Sequence, residues 1–247
     1  IGMAIAPLVI SYLIFHGTPL HDIVTKQFII PLIVLILIML IVTLFVGRIQ
    51  MPSIGNVLQA PGENLDKSVW SFRNLKLGVW GIFFYVGIEV AVGANVNMYA
   101  SELGGSFASN ATHMAALYWG LLLLGRFLGS FIRRIPSEKQ LVTASIGAII
   151  LLVLAMLTAN PWILTLIGFF HSIMWPAIFT LATDKLGKYT TKASGVLTMG
   201  VIGGGIIPLL QGIFADVMGG NWLWTWLLVI AGEAYILYYG LNGYKQH

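Results

Sequence analysis

The sequence predicts an all-α polytopic membrane protein, and three observations carry that prediction. Of the 247 residues 58% are hydrophobic and 9% are charged, against roughly 25% charged residues in an average soluble domain. The 13 basic and 9 acidic side chains cannot cover a globular surface, and the mean hydropathy of +0.89 agrees. Apolar runs of about 20 residues recur along the chain, the length that spans a ~30 Å hydrocarbon core as a helix. Soluble α/β, all-β and disordered classes are excluded. Cysteine is absent, which excludes disulfides, thiolate metal sites and cysteine nucleophiles.

Run length and polar punctuation give eight transmembrane segments: 1–15, 28–47, 77–99, 112–132, 141–158, 162–182, 193–216 and 222–241. The first opens directly on Ile1, with no basic n-region and no small-residue cleavage site, so it is not a signal peptide. It reads as the second part of a spanning helix, and the sequence as a fragment. The gaps are short except for 48–76, which is polar, holds Pro52, Gly55, Pro61 and Gly62, and is the one credible linker. The expected organisation is 1–47 as two helices of an incomplete N-terminal bundle, 48–76 as linker and 77–247 as a C-terminal six-helix bundle.

Charge fixes the expected orientation. Arg48, Lys67, Arg73, Lys76, Arg133, Arg134, Lys139, Lys185, Lys188, Lys192 and Lys245 all fall on one side of the eight crossings. The opposite loops hold a single cation, Lys26. Such a bias puts the linker and the C-terminus in the cytoplasm, and a net charge of +4 reports orientation before it reports nucleic acid. Trp162, Trp222 and Trp224 near outer helix ends and Trp80 near an inner one fit aromatic belts.

Several motifs stand inside these segments. In the fourth, Gly125 and Gly129 lie four apart on one helix face and admit a neighbouring backbone. Arg126 between them can pair with a carboxylate or with carbonyls at a helix end, or simply snorkel. The seventh holds Gly195, Gly200, Gly203, Gly204, Gly205 and Pro208, a cluster that permits tight packing and bending. Each intramembrane charge costs roughly 2.5–3.5 kcal/mol at a helix centre. Glu89 lies about thirteen residues into the third segment, or roughly 20 Å at 1.5 Å per residue. Tyr85, Glu89 and Gly93 share its face. A carboxylate there can accept hydrogen bonds from sugar hydroxyls or carry a proton. Glu233 in the eighth segment has no polar company in sequence, which favours a structural role. His171 and Trp175, four apart in the sixth, present an imidazole and a flat ring to one wall, where an aromatic face can stack on a sugar ring; core packing is the alternative. Asn95, Asn97 and Gln211 are further cavity candidates. Asn110-Ala111-Thr112 matches a glycosylation sequon. No metalloprotease motif, nucleophile elbow or paired carboxylates occur, so an enzyme, a cofactor and a metal site are not expected.

Three of these stretches carry a resemblance. Tyr85 to Gly93 running on to Asn97-Met98-Tyr99 resembles the seventh helix of the fucose–galactose–glucose:cation symporter family of the major facilitator superfamily. Met174-Trp175-Pro176 through Ala182 and Leu186-Gly187-Lys188 is similar to its tenth helix and following loop. Gly203-Gly204-Gly205 and Pro208 through Asp216 resemble its eleventh. The eight segments would then be the family's fifth to twelfth helices. The resemblance implies a major facilitator fold, with two six-helix halves alternating access to a central site. It also implies uptake of a monosaccharide across a bacterial inner membrane, coupled to H+ or Na+, by a protein that is monomeric when full length. The family's acidic residue for proton coupling lies in its first four helices, so Glu89 is expected to bind substrate, with Asn97, His171 and Trp175. Gly125, Arg126, Gly129, Gly200, Gly203, Gly204, Gly205 and Pro208 are expected to serve packing and gating. The alternatives are a facilitator for another solute, such as an organic anion, and a membrane sugar sensor. Without four preceding helices these 247 residues are expected to transport nothing.

Overall fold

A computed structural model describes residues 29–48, 66–131 and 134–246. They fall into two units, one holding the helix at 29–48 and the other everything from residue 66 onward. The segment expected at 1–15, most of the linker, Lys26, Ile132 and Arg133 lie outside the described residues. In the first unit, helix α1 (Ile29–Arg48) is apolar on every face, with its one basic residue in the last turn.

The second unit is a helical bundle, without strands among the described residues. Its axis is α2 (Arg73–Leu103), 31 residues long and about 46 Å at 1.5 Å per residue. Around it stand α4 (Ala111–Gly129), α5 (Ser137–Thr158), α6 (Pro161–His171), α7 (Met174–Thr183), α8 (Thr190–Thr198), α9 (Gly203–Val217) and α10 (Trp226–Tyr238). The short α3 (Gly105–Ser109) fills the turn between α2 and α4. Five stretches are long and apolar enough to cross a membrane: α1, α2, α5, α6 with α7, and the run Gly187–Val217. The 19-residue α4 carries His113 and Arg126, and α10 has only 13 helical residues between a 3₁₀ turn and a π turn.

The bundle is apolar outside, and its largely apolar core encloses several polar groups. Ile150, Leu154 and Leu157 of α5 and Leu209, Ile213 and Val217 of α9 are exposed, whereas Asn74, Glu89, His171, Gln211 and Glu233 are buried. This inversion suits lipid, which satisfies no polar group and leaves those groups to partner one another inside.

Three of the departures from the expected bounds have a clear local reason. Helix α2 starts four residues early because Arg73 and Asn74 have partners within the bundle. Asn74 Nδ2 donates to the carbonyls of Leu181 (3.3 Å), Ala182 (3.1 Å) and Asp184 (3.3 Å), closing the end of α7. Arg73 Nη1 donates to the carbonyls of Asn242 (3.0 Å) and Lys245 (2.9 Å). A cation at those C-terminal carbonyls is the favourable sign for the helix dipole. The sixth segment is not continuous: α6 and α7 are separated at Ser172 and Ile173. Pro176 has no N–H and its ring crowds the carbonyl four residues back, which belongs to Ser172. The seventh segment tightens into a 3₁₀ turn, Met199–Ile202, between α8 and α9.

Glycines set how closely α9 lies on α2. A Cβ at Gly200 would come to 2.6 Å from the Val79 carbonyl oxygen, and one at Gly203 would overlap the backbone of Phe83. Gly204 faces Val86. Gly205 meets nothing, so it stands outside the packing face that the sequence assigned to the whole cluster. On the other side of the bundle, Gly125 and Gly129 bring α4 against the α6–α7 break: their Cβ positions lie 2.8 Å from the Phe169 carbonyl oxygen and 2.8 Å from Ile173 Cγ2.

Candidate functional site

Glu89 sits near the midpoint of α2, and polar groups of α2 and α4 converge on it. Tyr85, one turn earlier, donates its hydroxyl proton to Glu89 Oε1 at 2.8 Å, and its oxygen lies 3.0 Å from the His171 carbonyl. Arg126 reaches in from α4 and donates from Nη2 to the same Oε1 at 3.0 Å. The pair is asymmetric, with the Arg126 side chain 48% exposed and that of Glu89 11%. Both bonds land on Oε1, so Oε2 has no protein partner.

Arg126 also lines a cavity of about 650 Å³, together with Ser130, Gln140, Ser172, Trp175 and Thr180. Trp175 joins this cavity to the Glu89 cluster, its ring 6.2 Å from that of Tyr85 between centroids. The break between α6 and α7 makes the wall: it turns Trp175 toward the cavity while α6 ends at His171. The cavity offers a guanidinium, hydroxyls and an indole face, with the Glu89 carboxylate behind Arg126; such groups in an apolar-walled space suit recognition of a polyhydroxylated ring.

A second polar group lies behind the first. His171 is fully buried, with Nδ1 2.7 Å from the Tyr118 hydroxyl and Nε2 2.6 Å from Glu233 Oε1. Tyr118 in turn lies 3.0 Å from the Glu89 carbonyl oxygen. The expectation that His171 and Trp175 present one face to a ligand therefore fails for His171. His171 and Trp175 both pack on the Tyr85 ring, at 6.1 and 6.2 Å between centroids, but His171 is fully buried. Both imidazole nitrogens are already engaged. Glu233, read in sequence as lacking polar company, has His171 as its partner from 62 residues away.

The remaining candidates separate. Asn97 is two turns beyond Glu89, about 12 Å along the axis, and its buried Oδ1 has no partner. Asn95 Nδ2 donates to Gln211 Oε1 at 2.9 Å and Gln211 Nε2 to Thr225 Oγ1 at 3.1 Å. This chain ties α2, α9 and the turn before α10 together. Pro208 lies inside α9. Among the described residues no three His, Cys, Asp or Glu side chains gather as metal ligands.

Comparison with known proteins agrees with this architecture. The family profile of the Major Facilitator Superfamily matches residues 1–208. The chain belongs to the major facilitator superfamily. Members of this superfamily are transporters rather than enzymes. The chain is 35% identical over 261 residues to a candidate glucose/galactose transporter of Helicobacter pylori, covering all of this chain and 64% of that protein. It is 36% identical over 222 residues to a glucose/galactose transporter of Brucella abortus, covering 87% of this chain and 53% of that one. An L-fucose-proton symporter of Escherichia coli is 27% identical over 199 residues, 76% of this chain and 45% of the relative. The chain thus spans less than two thirds of the length of these superfamily relatives, which are of the kind the three motifs in 77–217 suggested. The crystal structure of the major facilitator superfamily transporter FucP in the outward conformation superposes with a TM-score of 0.70, at 23% identity, over 98% of this chain and 65% of that one. That likeness concerns the fold.

Proposed function

We propose that this chain is the greater part of a monosaccharide:proton symporter working by alternating access, with Glu89, Arg126, Tyr85 and Trp175 at its sugar site. The observation that carries the reading is the Glu89 carboxylate, half satisfied by Tyr85 and Arg126, at mid-bundle beside a cavity walled by Trp175. The names of the relatives support a hexose as solute, and the Escherichia coli relative's name supports H+ over Na+ as the coupling ion. An ionised carboxylate accepts sugar hydroxyls more strongly than a neutral group does, and an indole face covers the apolar side of the ring.

In this reading Gly200 and Gly203 let α9 move against α2, and Gly125 and Gly129 let α4 move against the α6–α7 break. Asn97 extends the site toward the far end of α2, where its free Oδ1 takes a hydroxyl. The protein lies in a bacterial inner membrane, with the end carrying Arg134, Lys139, Lys185, Lys188 and Lys192 in the cytoplasm. An organic-anion facilitator would need an uncompensated central cation, and the charge of Arg126 is matched by Glu89.

The test is uptake of labelled D-glucose and D-galactose by the full-length protein in proteoliposomes. Saturable uptake that is weakened in Glu89→Gln and Trp175→Ala is expected. Normal transport by both variants would overturn the site.

A further inference from the structure

The second polar group, His171 with Glu233, is not needed to hold sugar, and the count of its protons points to a different use. Both side chains are completely buried, and their 2.6 Å contact leaves no room for water between them. The titratable and charged groups on the surrounding helices are few. Helix α2 brings Tyr85 and Glu89, and α4 brings Tyr118 and Arg126. Helix α5 carries Glu138 and Lys139 in its first turn, away from the pair. Since Arg126 neutralises Glu89, nothing is left over to neutralise Glu233 except a proton.

The hydroxyl of Tyr118 is the link between His171 Nδ1 and the Glu89 turn. It has one hydrogen and two neighbours, the Glu89 carbonyl oxygen at 3.0 Å and His171 Nδ1 at 2.7 Å. A carbonyl oxygen only accepts, so when Nδ1 carries a hydrogen the Tyr118 proton goes to that carbonyl, and when Nδ1 is bare it can turn to Nδ1. On the other side of the ring a second proton lies between Nε2 and Glu233 Oε1. The pair is neutral as a unit with both. Glu233 Oε2 is buried without a partner, which is tolerable for a neutral carboxyl and costly for an anion.

Removing one proton rearranges these bonds in a determined way. If Nδ1 kept its hydrogen, the bare Nε2 lone pair would face a carboxylate. The imidazole instead keeps the hydrogen on Nε2, donating to Glu233, and Nδ1 becomes the acceptor. Tyr118 must then turn its hydroxyl proton from the Glu89 carbonyl to Nδ1. One proton passes to water, no other bond is made or broken covalently, and the Glu89 turn of α2 loses a hydrogen bond.

We propose that His171 and Glu233 form a proton-binding site within the C-terminal bundle, and that Tyr118 transmits its occupancy to the Glu89 turn where sugar binds. This rests on the reading of Glu89 as a sugar ligand. The pair is sealed in this conformation, so it exchanges its proton with water when helix movement opens it. Protonation thereby favours the arrangement in which α2 is tied to α4 through Tyr118, and deprotonation releases it.

The proton site is tested apart from transport by ¹⁵N NMR of the histidine-labelled full-length protein in lipid bilayers. The His171 signals are assigned by their loss in His171→Asn. Between about pH 5 and pH 10, a range around the ordinary histidine titration, Nδ1 is expected to lose its proton while Nε2 keeps its own. Glu233→Gln is expected to abolish or displace that step. No change at His171 over the range, or the same step in Glu233→Gln, overturns the proposal. The linkage is read from the affinity for D-galactose at the two ends of the titration. It is expected to change by about fivefold or more, the lower end of ordinary coupling between sites, and by less than about twofold in Tyr118→Phe, whose histidine still titrates. Full linkage in Tyr118→Phe overturns the role of the tyrosine, even should Glu233→Gln fail to assemble. Binding of neither D-galactose nor D-glucose at any pH defeats the sugar reading instead, and the histidine titration still decides the proton site.

Discussion

Replacing Glu89 by Gln removes one charge from the proposed sugar site and almost nothing from the fold. Glu89 Oε1 accepts from Tyr85 at 2.8 Å and from Arg126 at 3.0 Å, and an amide oxygen can accept from both. Because the Arg126 side chain is 48% exposed, its ion pair is discounted to about 0.2–1 kcal/mol. The stability cost of Glu89→Gln is therefore about 1 kcal/mol or less. Binding should suffer more. A hydrogen bond to a charged acceptor contributes about 1.5–3 kcal/mol against about 0.5–1.5 for a neutral one, so each sugar hydroxyl on the carboxylate loses roughly 1–1.5 kcal/mol. At about 1.4 kcal/mol per factor of ten, one such hydroxyl raises KM about tenfold. The assay is initial-rate uptake of labelled D-galactose by the full-length protein in proteoliposomes, with thermal denaturation in detergent as the control on folding. An unchanged KM with an unchanged melting profile would refute the assignment of Glu89 to the substrate. A large loss of thermal stability would refute the reasoning about its exposed partner.

Other expectations are as direct. Trp175→Ala should raise the KM for uptake by about 5–30-fold, the range of a 1–2 kcal/mol contact, and Trp175→Phe should restore most of it. Gly200→Ala places a Cβ 2.6 Å from the Val79 carbonyl oxygen, 0.8 Å inside the 3.4 Å of ordinary contact. It should cost about 1–3 kcal/mol of stability in thermal denaturation, whereas Gly205→Ala, facing open space, should be neutral or gain up to about 1 kcal/mol. Arg73→Ala strips the donors from the Asn242 and Lys245 carbonyls. It should lower stability by about 1–2 kcal/mol and increase hydrogen exchange in the last turn, with KM unchanged.

The sequence located the described spans to within a few residues because apolar run length is set by the bilayer and not by neighbours. Its failures follow from contacts that run length does not encode. Arg73 and Asn74 read as linker because their partners are carbonyls more than 100 residues away. The break after His171 was signalled by Pro176, whereas the burial of His171 was not, because it depends on Tyr118 and Glu233 from other helices. Glu89 was legible because so few charges enter the membrane. Its partner Arg126 stands 37 residues on, and the sequence left it a choice between a carboxylate, helix-end carbonyls and lipid headgroups. Glu233 is the instructive case: an isolated carboxylate in an apolar helix looked structural, yet such a residue must have a partner somewhere, and the buried histidines of other helices were the place to look.

Two polar clusters meet at one turn of α2. Tyr85, Arg126 and Trp175 shape the space around Glu89, and Tyr118 bonds the same turn of α2 to the His171–Glu233 pair. Both clusters lie where α2, α4 and the α6–α7 break meet, the surfaces that Gly125 and Gly129 keep close.

The central claim is proton-driven sugar transport, and labelled D-galactose accumulation by proteoliposomes of the full-length protein tests it most directly. With the outside made acidic, galactose should accumulate above its external concentration, and a protonophore should collapse the gradient of sugar. Absence of galactose or glucose flux, both under the proton gradient and in counterflow, would contradict the account.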